Sequence, residues 1–216
     1  MEVLELLTGR SARILRVTHP NGNPPLPVLL TEIQRRYQFL KVPDLDKLLE
    51  ERTAIFESGR FNDHEVKRVI TGDGFFACDV HGSTNLADEL ADDIENWVTG
   101  ELGYRLKPDG VVGQAYGSEI EFFLPAAAAS RATTLLEFGP RISARVRSYG
   151  NQTPDFRLEH IGFQADASAG SQTLKTVGFI VERRANSPSQ DIWYSAAPLK
   201  TDEHIETLKQ FSTILS

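Results

Sequence analysis

TAIFESGRFNDHEVKRVITGDGFFACDVHGSTNLADELADDIENWVTGEL, residues 53–102, is the stretch on which the fold class turns. Its first part holds three β-prone runs, Thr53–Phe61, Glu65–Ile70 and Phe75–His81. Short runs rich in β-branched and aromatic residues, bounded by turn residues, read as strands. Thr71-Gly72-Asp73-Gly74 links the second to the third, and an Asp-Gly pair supplies the positive φ that a tight hairpin needs. Gly82-Ser83-Thr84-Asn85 then breaks the strand and offers N-caps, with Asn85 and Asp88 in the spacing of a capping box. Leu86, Leu90, Ile94 and Trp97 recur at helical spacing, and Gly103 is a stop signal. The stretch therefore reads as a three-strand meander that runs into a capped helix.

The last third has the same order. Phe156–Asp166, Thr173–Arg184 and Asp191–Ala197 read as strands, and Pro198 ends the third. Thr201 is a natural N-cap, and Asp202 and Glu203 suit the positive end of a helix dipole. Ile205, Leu208, Phe211 and Leu215 supply the apolar stripe. The expected fold class is α+β: antiparallel β-meanders, each followed by a helix packed on one face of the sheet. Two explanations of the shared order stay open. One is coincidence, because meander-then-helix is common. The other is two pseudo-repeated subdomains, 1–103 and 104–216, either separate or merged in one compact domain.

Elsewhere the signals are local. Residues 3–7 and 12–17 read as a hairpin about Thr8-Gly9-Arg10-Ser11. Dense Pro and Gly make 19–25 a loop. Leu29, Ile33, Tyr37 and Leu40 fit a helical stripe, and 44–52 fits a short helix. Residues 104–114 read as a connector, 115–124 as a strand, and 126–137 and 140–148 as helices.

Composition narrows the function. A formal net charge of -7 argues against broad binding to nucleic acid, which needs a surplus of Lys and Arg. No stretch approaches the ~18 apolar residues of a membrane span. Cys78 is the single cysteine, so no disulfide within the chain and no cysteine zinc cluster can form. With an acidic N-terminal segment in place of a basic leader, the expectation is a cytoplasmic protein. P-loop, G-x-S-x-G, G-x-G-x-x-G and H-E-x-x-H motifs are absent.

Four groups of residues remain as candidates. Asp79 and His81 share a strand face just before the helix that carries Asp88, and carboxylates with an imidazole suit a divalent metal or acid–base chemistry. A solvated sheet face beside a helix end that favours acids is the preferred explanation, because no ligand spacing here is diagnostic. The run DELADDIE, 88–95, holds no basic residue and reads as a solvated helix face. Arg141, Arg145 and Arg147, with Arg131 upstream, could grip an anion or an acidic partner surface, since the guanidinium fork matches both. Trp193 and Tyr194 point to opposite faces of a strand, one toward the core and one toward a surface or groove. The leading expectation is a non-catalytic binding or assembly protein, a subunit of a cytoplasmic complex, with a protein partner or a second copy of itself. The alternatives are a metal-dependent hydrolase built on Asp79, His81 and Asp88, and an anion or nucleic-acid binder built on the arginine helix. No cofactor is expected.

Overall fold

The structure is a computed structural model and describes residues 1–20, 26–43, 53–72, 74–125, 128, 142, 144, 160–164, 178–184 and 192–215. Among these, eight strands and three helices follow in the order β1 (Glu2–Thr18), α1 (Leu26–Tyr37), β2 (Thr53–Phe61), β3 (His64–Gly72), β4 (Phe75–Val80), α2 (Thr84–Gly100), β5 (Arg105–Phe123), β6 (His160–Phe163), β7 (Phe179–Arg183), β8 (Ile192–Ala197) and α3 (Thr201–Ile214). The expected helices over 44–52, 126–137 and 140–148 lie almost wholly outside the described residues.

All eight strands belong to one antiparallel sheet, ordered β2-β3-β4-β1-β5-β8-β7-β6. The three described helices lie on one of its faces, so the class is α+β. No described helix is long and apolar enough to cross a membrane.

Two expectations are corrected. Residues 3–17 form one long strand and not a hairpin. Gly9 is there for contact, not for a turn. A Cβ on it would lie 2.3 Å from the carbonyl carbon and oxygen of Ser83, because the start of α2 crosses directly above it. Residues 105–114 belong to β5, drawn into the sheet because β1 extends far enough to pair with them, out to Thr18 opposite Arg105. The hairpin expected over 71–74 is present, with Gly72 paired to Phe75 and Gly74 at a φ of 74°. Asn62 and Asp63 have φ of 47° and 63°, the positive pair that a two-residue hairpin between β2 and β3 requires.

The core forms two clusters on the helix face. Phe56, Val69, Cys78 and Val80 pack under Tyr37 of α1 and Leu90 and Ile94 of α2. Ile120, Phe122, Val181 and Trp193 pack under Leu208 of α3. Between the clusters the two helix starts meet. The Thr84 N–H donates to the Thr201 hydroxyl at 2.9 Å, and the Thr201 N–H donates to the Thr84 hydroxyl at 2.9 Å. Each threonine thereby satisfies an amide that a helix start leaves without an intrahelical partner. Ser83, not Asn85, is the N-cap of α2, and Lys200, not Thr201, precedes α3.

Candidate functional site

Strand alternation assigns every side chain to the helix face or to the opposite, open face. Register then aligns residues into rows across the sheet. On the open face one row runs Glu57, Arg68, Asp79, Arg10 from β2 to β1 and ends on Gly117 of β5. Its charges alternate. Asp79 is 2% exposed and accepts from both neighbours: Arg10 Nε at 2.5 Å and Nη2 at 2.7 Å, and Arg68 Nε at 2.5 Å. Burial alone would raise the Asp79 pKa, but the two guanidiniums outweigh it and hold the carboxyl below its usual range.

Beside this row, Lys67 Nζ donates to the Thr8 hydroxyl at 2.8 Å, which donates to Glu119 at 2.7 Å. Arg10, Arg68, Lys67, Thr8 and Glu119 line a cleft of about 500 Å³ on the open face. On its other side the next row is apolar: Ile55, Ile70, Ala77, Ala12 and Ala115. Ile55 is 40% exposed, whereas Ala77 and Ala12 are buried.

The structure does not gather Asp79, His81 and Asp88. Asp79 and His81 belong to the open face, where His81 lies 3.6 Å from Glu5. Asp88 is on α2, on the other face, and accepts from the Ser11 hydroxyl at 2.6 Å. Among the described residues no group of three or more His, Cys, Asp or Glu side chains could hold a metal ion. Cys78 is buried beside Asp88 and Asp79, and burial foremost pushes its thiol well above the ordinary range.

The acidic run differs from its expected role. Arg13 of β1 points up into it, with its side chain only 8% exposed. It meets Asp92 at 2.7 Å and Glu95 at 2.9 Å, with Asp88 at 3.6 Å. These acids recur at four and three residues, so one edge of α2 is stitched to the sheet by ions while its apolar stripe packs beside it. Arg36 of α1 takes Asp93, which also accepts from the buried Tyr37 hydroxyl at 2.7 Å. No signal within 88–95 could have shown this, because these partners are 56 and more residues away.

Trp193 is in the second core cluster, 6% exposed. Tyr194 is on the open face, with the Arg184 guanidinium 5.0 Å from its ring centre. Burial, with Glu119 beside it, raises the Tyr194 hydroxyl to about 12. Arg131, Arg141, Arg145 and Arg147 lie outside the described residues.

Sequence reasoning missed His204. It is fully buried, its Nδ1 2.7 Å from the Ser118 hydroxyl and its Nε2 2.8 Å from the Ser195 hydroxyl. Ser195 also donates to the Ile180 carbonyl at 2.6 Å, so toward the ring it accepts and Nε2 carries the proton. Ser118 has two acceptors in reach, Nδ1 at 2.7 Å and the Leu199 carbonyl at 3.1 Å, and in the neutral ring it donates to the nearer, Nδ1. Burial pushes the His204 pKa down to about 4. No solvent or substrate reaches this Ser–His–Ser chain, and it serves to hold α3 on the sheet. Its signal in the sequence was faint: a histidine in the first turn of an otherwise amphipathic helix.

No known protein family matches the chain, and no curated protein is significantly similar to it.

Proposed function

We propose that this is a binding or assembly protein that docks a protein partner on the open face of its sheet. The observation that carries the reading is the outward-facing pair Ile55 and Ile70, neighbours across β2 and β3. An antiparallel sheet covered on one face normally presents polar residues to water on the other. Here Ile55, 40% exposed, and the half-buried Ile70 stand on that face beside an organised row of charges. Apolar surface rimmed by polar groups is what a docking surface needs. The reactive candidates point the same way: Asp79 is neutralised by two arginines, and Cys78 and His204 are buried.

Two pseudo-repeated units, 1–103 and 104–216, belong to the same proposal. Support comes from the strand order, which reads outward from β1 and β5 in the same manner on both sides, and from the mutual Thr84–Thr201 pair at its centre. A single chain would then present a wide, continuous surface of the kind two smaller subunits could only build by associating.

The test compares the chain with Ile70→Asp and Ile55→Asp. These substitutions face outward, so far-UV circular dichroism and thermal melting should be preserved. Association with a protein partner, whether a second copy or another chain, should weaken at least about tenfold, as expected when a central contact worth more than 1 kcal/mol is lost. The reading fails when both folded variants associate as the unaltered chain does, or when that chain itself retains no protein partner.

A further inference from the structure

We infer that the chain binds a small amphipathic anion, an apolar chain ending in a carboxylate, in a cleft between α1 and α2 on the helix face of the sheet. The site is separate from the open face and does not rest on the docking reading above.

The cleft has a volume of about 700 Å³. Protein interiors are close-packed and leave few voids larger than a water molecule, so a space of this size is more than a packing irregularity. It falls within the ~300–1,000 Å³ range of small-molecule sites. Val69 and Phe76 of the sheet and Trp97 of α2 line its buried part. Leu29 and Ile33 of α1 and Val98 of α2 line it as half-buried side chains, so it holds accessible apolar surface. Leu29, Ile33 and Tyr37 recur every four residues, so one face of α1 borders the cleft along its length. The C-terminal end of that helix is fixed to α2, because the Tyr37 hydroxyl donates to Asp93 at 2.7 Å and Arg36 meets the same carboxylate at 3.0 Å.

The head group follows from charge. Among the described residues, the charged ones lining the cleft are Arg16 and Lys107, both cationic and both exposed. No described acidic residue lines it, although the chain as a whole carries a net charge of -7. Thr71 and Tyr104 add hydroxyls to the lining. Apolar walls with a few polar groups are the usual make-up of a small-molecule site, and cations with hydroxyl donors suit a carboxylate. A neutral apolar ligand would leave the two cations unused. A compact polyanion would leave the apolar walls uncovered. A carboxylate on an apolar chain uses both.

The test titrates the full chain with decanoate and with decanol by isothermal calorimetry. Decanoate should saturate a single site. Octanoate, two methylenes shorter, should bind on the order of tenfold more weakly, since each buried methylene is worth about fourfold. Arg16→Gln combined with Lys107→Gln changes only exposed positions, and it should weaken decanoate about fivefold while leaving decanol unchanged. Ile33→Phe puts bulk into the cleft and should weaken both ligands at least tenfold. Circular dichroism checks that each variant is folded. Were Ile33→Phe unfolded, fluorescence would locate the ligand instead: in Trp193→Phe the sole tryptophan is Trp97, which lines the cleft, and decanoate should shift its emission. Decanoate that shows no saturable binding overturns the inference. So does binding indifferent to a folded Ile33→Phe or, in its place, a Trp97 emission that decanoate leaves unchanged. Decanoate and decanol responding alike to the loss of Arg16 and Lys107 overturns the anionic head group.

Discussion

His204 shows how a single side chain can set the acid limit of a fold. Its ring is neutral where the protein is most stable, held between two serine hydroxyls. Burial places its folded pKa at about 4, below the ~6.5 of an exposed histidine. In that window the unfolded chain binds the proton and the folded chain does not, so stability falls as pH falls. The full contribution is present above pH ~6.5 and is lost progressively down to about 4, for a total on the order of 3 kcal/mol. Urea unfolding between pH 7 and 4 should show this slope, and His204→Gln should flatten it while lowering stability at neutral pH. A wild-type stability that does not change across that window would refute the assignment. Asp79 acts lower, since its depressed pKa lets its ion pairs survive until the carboxyl itself protonates. The site was half legible at this scale. Alternation in β4 put Asp79 on the open face, but its value depends on Arg10 and Arg68, 69 and 11 residues away, which only register brings alongside.

Elements that announce themselves in sequence are those stabilised locally. The strand Thr53–Phe61 and the helix from Thr84 carry their own periodicity and caps, and both stand where those signals put them. β1 and the first half of β5 do not, because each is extended only through the other. Gly9 misled for a physical reason: a glycine can mark a bend or a place where another backbone passes closely, and one sequence does not separate the two. The acidic run misled because its counter-ion, Arg13, is on another element. Where α2 and α3 meet, the contact can be measured. Thr84→Val and Thr201→Val each remove one hydroxyl and leave a buried amide unpaired, so each should cost about 1–3 kcal/mol. The double variant should cost less than their sum or more by at least ~0.5 kcal/mol, the coupling of groups in one hydrogen-bond pair. Strict additivity in a double-mutant cycle by denaturant unfolding would mean that the two helix starts are independent.

At the scale of the whole molecule, the two halves are joined through β1 and β5, the most extensively paired strands of the sheet. This pairing argues for a single cooperative unit, and the chain carries its own reporters. Trp97 is a buried residue of α2, 4% exposed, and Trp193 is in the second core cluster, 6% exposed. With Trp97→Phe reporting the second half and Trp193→Phe the first, fluorescence in each variant should give the same midpoint as its own circular dichroism. Probes that part company within one variant would mean that 1–103 and 104–216 unfold separately. The long reach of the β1–β5 pairing also sets an order of events during synthesis. Residues 2–18 leave the ribosome about 100 residues ahead of the strand they must join, which at ~5–20 residues per second is a wait of roughly 5–20 s. β4 emerges only in the later part of that interval, and even when paired with it β1 has one edge bare. Unpaired edges invite other chains, and charges along a strand deter them. Arg10, Arg13 and Arg16 are spaced along that strand, so the arginines that later serve the folded sheet first act as guards of the nascent one.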